Sequence, residues 1–181
     1  MNGAVRARAV AEAGATLPHA RVRDELHRAF AGRHDGERVL VLIPDHTRSL
    51  PLPMLFRTMV EALAGAERLT FLVALGTHPP LPEAKLNALV GIDASERAGR
   101  FGHVRLVNHA WQDPDALVSL GTLPQARIRE IAGARWHPTL GGDVDVRIAR
   151  EVLEHDHAII LGPTFPHEVV GYSGGAKYFF P

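Results

Sequence analysis

Three groups of polar residues stand where apolar runs end. Asp45-His46-Thr47-Arg48 follows the run Arg38 to Pro44. A carboxylate, a hydroxyl and a guanidinium within four residues can grip hydroxyls and a carboxylate together, because the planar fork of Arg meets both carboxylate oxygens. The same residues can equally cap the next helix, with Arg48 paired to Asp45. Gly76-Thr77-His78-Pro79 closes the run Leu69 to Leu75. Held on a stiff turn, its imidazole can carry a proton near neutrality, as general acid–base catalysis requires; it also fits a polar residue preceding a helix. The third group spans Pro163 to Lys177 and contains Pro166-His167 and Gly171-Tyr172-Ser173-Gly174-Gly175-Ala176-Lys177. Its glycines allow close backbone approach, and its N–H groups can cup a phosphate. It lacks the G-x-x-x-x-G-K-[ST] pattern, since no Ser or Thr follows the lysine. A lysine beside such a loop can anchor a carbonyl cofactor covalently, or it can end a solvated turn.

The other histidines carry weaker signals. His155 and His157 could share one side of a strand as a metal pair, but no third ligand is evident, which favours surface or cap positions. His19, His27 and His34 are expected to be exposed in an amphipathic front segment, while the burial of His103, His109 and His137 stays open. The chain has no cysteine, which excludes disulfides, thiolate metal sites and a Cys nucleophile.

Alternating runs must position these groups. Arg38 to Pro44 and Leu69 to Leu75 read as strands covered on both faces. Between them Pro53 suits a first helical turn, and Leu55, Phe56, Met59, Val60 and Leu63 recur at helical spacing. Pro82 and Glu83 open a second helix; Val104 to Val107, Val144 to Ile148 (after a Gly141-Gly142 turn) and Ala158 to Leu161 are further strands. The expected fold class is α/β: a Rossmann-like, mostly parallel sheet with helices on both faces, ligands sitting outside the carboxyl ends of the strands. A helical lead-in over residues 1–35 precedes an α/β domain over 36–181.

With 181 residues, 46% hydrophobic, 22% charged and a formal net charge of zero, the chain has the profile of a soluble globular protein. Nothing favours nucleic acid or an anionic membrane as partner. Arg6, Arg8, Arg21, Arg23 and Arg28 are interrupted by Asp24 and Glu25 and read as a solvated helix face. Without a secretory apolar region or a run of ~18 apolar residues, the expectation is cytoplasmic. The ending Lys177-Tyr178-Phe179-Phe180-Pro181 is aromatic where natural ends tend to be polar, and it reads as a chain cut short.

In order and spacing, Asp45-His46-Thr47-Arg48, Gly76-Thr77-His78 and the Pro166-His167 to Lys177 motif resemble the N-terminal domain of the nickel-pincer-nucleotide-dependent lactate racemase family. The resemblance implies an isomerase, a racemase or epimerase of a small 2-hydroxy acid with lactate as the default. It implies a pyridinium-derived nickel pincer nucleotide bound covalently to Lys177 through a thioamide. His78 and His167 would be the acid–base pair, Arg48 would hold the substrate carboxylate, and Asp45, Thr47, Ser173, Gly174 and Gly175 would serve the cofactor. One His takes the hydroxyl proton while hydride passes from carbon to the pincer ring; hydride then returns to the other face of the keto acid.

Residues 36–181 become the cofactor-bearing domain. Nickel-ligating protein residues are assigned to none of this chain, because the family's ligand lies downstream of Pro181, as does the C-terminal domain that closes the site. Cofactor-synthesis enzymes and that domain are the implied partners, and the 181-residue fragment alone is expected to be inactive. Ser49 departs from the family, which often has Pro there. Two other readings stay in view. A non-catalytic nucleotide-binding or regulatory module would tolerate loss of either histidine; a nicotinamide dehydrogenase would show G-x-G-x-x-G after its first strand, which Leu42-Ile43-Pro44-Asp45-His46 does not.

Overall fold

The structure is a computed structural model describing residues 4–76, 78–137, 141–168 and 171–180. Thr77, Val169, Val170 and Pro181, all within motifs named above, lie outside the described residues. The chain runs through α1 (His19–Phe30), β1 (Arg38–Pro44), α2 (Leu52–Ala62), β2 (Arg68–Ala74), α3 (Glu83–Leu89), α4 (Ala94–Ala98) and β3 (Val104–Asn108). It continues with β4 (Leu117–Leu123), α5 (Gln125–Ala132), β5 (Val144–Ala149), α6 (Arg150–Leu153), β6 (His157–Ile160), β7 (Thr164–His167), β8 (Gly171–Gly174) and a 3-10 turn, Gly175–Phe179.

The main sheet has the order β3-β2-β1-β6, every pair parallel. From Val39 to Pro44 β1 is buried throughout, so the unbroken apolar run meets cover on both faces. On one face Val39, Val41 and Ile43 join Phe71, Val73 and the α2 residues Phe56 and Met59, with Leu26 and Phe30 of α1 and Leu86 of α3 against the same cluster. Phe56 packs tilted on Phe71 and Phe101, centroids 4.8 and 5.2 Å apart, a favoured aromatic geometry. On the other face Leu40, Leu42 and Leu72 meet Ala149, Val152 of α6 and Tyr178 of the 3-10 turn. Helical segments thus cover both faces, as expected.

The chain steps from β1 to β2 to β3 in one direction, then returns to place β6 on the other side of β1. Such a reversal opens a crevice at the carboxyl ends of the strands.

Three expectations need correction. Val144 to Ile148 is a strand, but it pairs antiparallel with β4 outside the main sheet. β4 is mostly exposed, with a register shift between Ser119 and Gly121, so its pattern is too broken to signal a strand. His34 is buried rather than exposed, because the turn after α1 folds back against Glu37. Of His155 and His157, expected at surface or cap positions, His155 precedes β6 and is instead buried between the Glu151 carbonyl (2.6 Å) and the Thr70 hydroxyl (2.9 Å), while exposed His157 turns to Glu37 and makes no pair with it. The arginine reading fits α1, where exposed Arg21 and Arg28 both pair with buried Glu25. Among the described residues no helix is long and apolar enough to cross a membrane.

Candidate active site

Two walls meet at the carboxyl end of the sheet. The first is built by the ends of β1 and β2. Asp45 follows β1 directly and is 4% exposed. Its Oδ1 accepts hydrogen bonds from the Thr47 N–H (3.0 Å) and hydroxyl (2.5 Å), and its Oδ2 lies 2.5 Å from Nδ1 of His78. Burial pushes the Asp45 carboxyl up, but the bonds from Thr47 and His78 outweigh it and hold the group below its usual range. An ionised carboxylate only accepts, so Nδ1 of His78 carries the proton between them, and in the neutral ring Nε2 is the nitrogen with a lone pair for another partner. His78 is placed by a turn in which Gly76 takes the left-handed conformation (φ 59°) and the His78 N–H donates to Leu75. The Trp111 indole N–H reaches the His78 carbonyl at 3.5 Å. Arg48 is exposed, and its guanidinium donates to the Thr47 hydroxyl at 3.4 Å.

The second wall is the ribbon of β7 and β8, paired antiparallel with His167 opposite Gly171 and Thr164 opposite Gly174. His167 ends β7, half-buried, with Nδ1 3.9 Å from Glu168. Gly174 has φ 81°, and a Cβ there would run into the Pro163 carbonyl oxygen. No other residue type fits both demands. Lys177 lies in the 3-10 turn; its Nζ donates to the Tyr172 carbonyl at 2.6 Å and stands 4.8 Å from the centroid of that ring.

These walls enclose a cavity of about 340 Å³, within the range of small-ligand sites. Asp45, Thr47, Arg48, His78, His167, Ser173, Gly174 and Lys177 all line it. Gly175 does not; its place is behind the wall, near Thr164 and Tyr172. His46 turns to a different depression, beside Leu81 and Lys85. Leu75, Tyr178 and Phe180 also line the cavity, residues to which the motifs assigned no role. Tyr178 is buried with its hydroxyl unpartnered among the described residues, and burial pushes that hydroxyl's pKa up. Its ring occupies the space a side chain at Gly162 would need. An aromatic residue one place after a conspicuous lysine was the available signal.

Known proteins resemble this chain in sequence and fold. The family description for the lactate racemase N-terminal domain matches residues 15–132 and 139–181. The chain belongs to that family. No curated protein sequence matches it. Among solved structures, a protein from Thermotoga maritima superposes with a TM-score of 0.76 at 26% identity, covering 91% of this chain and 38% of that one. The lactate racemase apoprotein from Thermoanaerobacterium thermosaccharolyticum superposes with a TM-score of 0.59 at 23% identity, covering 88% and 32%. The second likeness shows the fold. The chain therefore spans only 38% and 32% of the length of these two solved chains.

Proposed function

We propose that this chain is the N-terminal part of a racemase or epimerase of 2-hydroxy acids, lactate by default, with a nickel pincer nucleotide anchored on Lys177. The observation that carries the reading is one cavity lined by two imidazoles, a guanidinium and a primary amine from separate parts of the chain. The residues suit such a group. Lys177 presents its amine to the cavity beside an aromatic ring, the bare backbone at Gly174 permits close approach, and Arg48 adds a cation for an anionic ligand. When bound, the nucleotide supplies the hydride acceptor and donor; the chain supplies the rest.

Arg48 holds the substrate carboxylate by its fork. His78, with Nδ1–H fixed on Asp45, takes the hydroxyl proton at Nε2 and returns it. His167 does the same for the opposite enantiomer from the other wall, because inversion presents the hydroxyl on two sides. Each proton carrier contributes ~10²–10⁴-fold in rate. The cavity is open to solvent, and the relatives' chains are longer, which supports a C-terminal domain that closes it and excludes water. Cofactor-making enzymes in the same compartment, read as the cytoplasm, complete the reading.

Intact-mass spectrometry after co-expression with cofactor-making enzymes tests it. The expected result is an adduct on the wild-type chain that is absent from Lys177→Ala, both chains showing the same circular dichroism. A folded wild-type chain without an adduct would overturn the reading in favour of a non-catalytic module.

A further inference from the structure

At the opposite, amino edge of the sheet, three metal-ligating side chains from separate parts of the chain converge. His34 lies in the turn after α1, Glu37 immediately before β1, and His157 opens β6. Nδ1 of His34 and Nε2 of His157 each stand 2.9 Å from Oε2 of Glu37. The two rings are 4.5 Å apart, and the ligand atoms lie within 4.8 Å of one another. Among the described residues this is the one group of three or more His, Asp or Glu side chains drawn together so closely.

The geometry points to a binding site for a borderline divalent transition ion such as Zn²⁺, held by His34, Glu37 and His157. Two imidazoles and a carboxylate suit Zn²⁺, Ni²⁺ or Co²⁺ rather than Ca²⁺ or Mg²⁺, which prefer oxygen. Tetrahedral bonds of ~2.0–2.2 Å set ligand atoms roughly 3.3–3.6 Å apart, so the two contacts to Glu37 open by about half an ångström and the imidazole nitrogens draw together by about 1 Å, within the reach of side-chain rotation. The ring atoms now facing Glu37 become ligands once each gives up its proton, which in a neutral ring means a shift to the other nitrogen. Arg38, the adjacent cation, is already engaged with Asp156 at 2.6 Å, and the ion pairs of Glu37 among the described residues are with the two histidines.

His34 is held in place, its side chain 10% exposed and its ring near Phe30. His157 and Glu37 are 44% and 39% exposed, leaving a path for the ion and for water as further ligand. An ion here ties the segment following α1 to the first residues of β1 and β6, roughly 20 Å along β1 from the cavity. The inference therefore stands apart from the racemase reading.

Titration of untagged chain with ZnCl₂ near neutral pH, by calorimetry and by thermal unfolding, tests it. One equivalent is expected to bind at micromolar affinity and raise Tm by several degrees. His157→Ala and Glu37→Gln should each weaken binding at least tenfold and abolish the rise. Both positions are exposed enough for the fold to survive, which circular dichroism checks; should one variant misfold, the other decides. No binding up to about 1 mM Zn²⁺, or binding and a thermal shift unchanged in the folded variants, would overturn the site and assign any uptake to other histidines.

Discussion

Replacing Asp45 by Asn asks whether the carboxylate sets the proton position on His78. The substitution preserves size and leaves one acceptor, and Thr47 aims both its N–H and its hydroxyl at that side of the group. The amide oxygen must therefore face Thr47, which turns the NH₂ toward Nδ1 of His78. An NH₂ only donates, so Nδ1 must accept and the ring proton moves to Nε2. The wild-type arrangement favours Nδ1–H by one charge-assisted hydrogen bond, ~1.5–3 kcal/mol; the variant disfavours it by one neutral bond, ~0.5–1.5 kcal/mol. Together these make ~2–4.5 kcal/mol, or roughly 30- to 1600-fold in the tautomer ratio at ~1.4 kcal/mol per decade. The His78 side chain is 52% exposed, so water competes for both nitrogens and the lower part of that range, ~30–100-fold, is expected. Ring ¹⁵N shifts of the neutral imidazole read the tautomer directly: protonated Nδ1 in the wild type, protonated Nε2 in Asp45→Asn. In the cofactor-loaded, complete enzyme, kcat for racemisation should fall by the same factor. An unchanged tautomer in a folded variant would refute the proposed coupling, whatever the rate did.

Two further measurements probe the frame. Gly174→Ala and Gly171→Ala both place a side chain at φ near 80°, but only at Gly174 does the new Cβ meet the backbone, at the Pro163 carbonyl; Gly171 faces open space. Each carries a conformational cost of ~1–3 kcal/mol, so both should lower Tm and Gly174→Ala should lower it more; equal losses would remove the role given to the close approach. His155 has its pKa lowered, chiefly by burial, and His109 shifts the same way for the same reason. Protons therefore bind the unfolded chain first as pH falls, so stability is whole above an unfolded pKa of ~6.5 and is lost on acidification toward the folded value. Tm should drop between pH ~7.5 and ~5.5, and His155→Gln should flatten that slope; an identical slope in a folded variant counts against His155 as its source.

The sheet was legible because its strands are unbroken apolar runs. Arg38–Pro44 is observed as read, and Arg68–Ala74 is displaced by one residue from the expected run. The site followed from strand ends, since Asp45 and His78 stand where a parallel sheet places its ligands. The helix α4 was missed although Asp93 and Glu96 form a capping box, because five residues carry too little periodicity. The ribbon of β7 and β8 was missed for a related reason: four-residue strands rich in Gly and Pro have little alternation to detect. The convergence of His34, Glu37 and His157 could not be read at all, because it depends on β6 pairing with β1. Local spacing holds no information on which strands become neighbours.

Tyr178 follows Lys177 directly and is sunk into the far face of the sheet among Leu40, Leu42 and Leu72. The depth at which that ring sits therefore fixes where the backbone of Lys177 starts toward the cavity. Side-chain bulk at that one interior position is thereby a gauge for the span between the two walls. Within such a lineage, altered ligand size could be accommodated by changing that plug while leaving every polar group untouched.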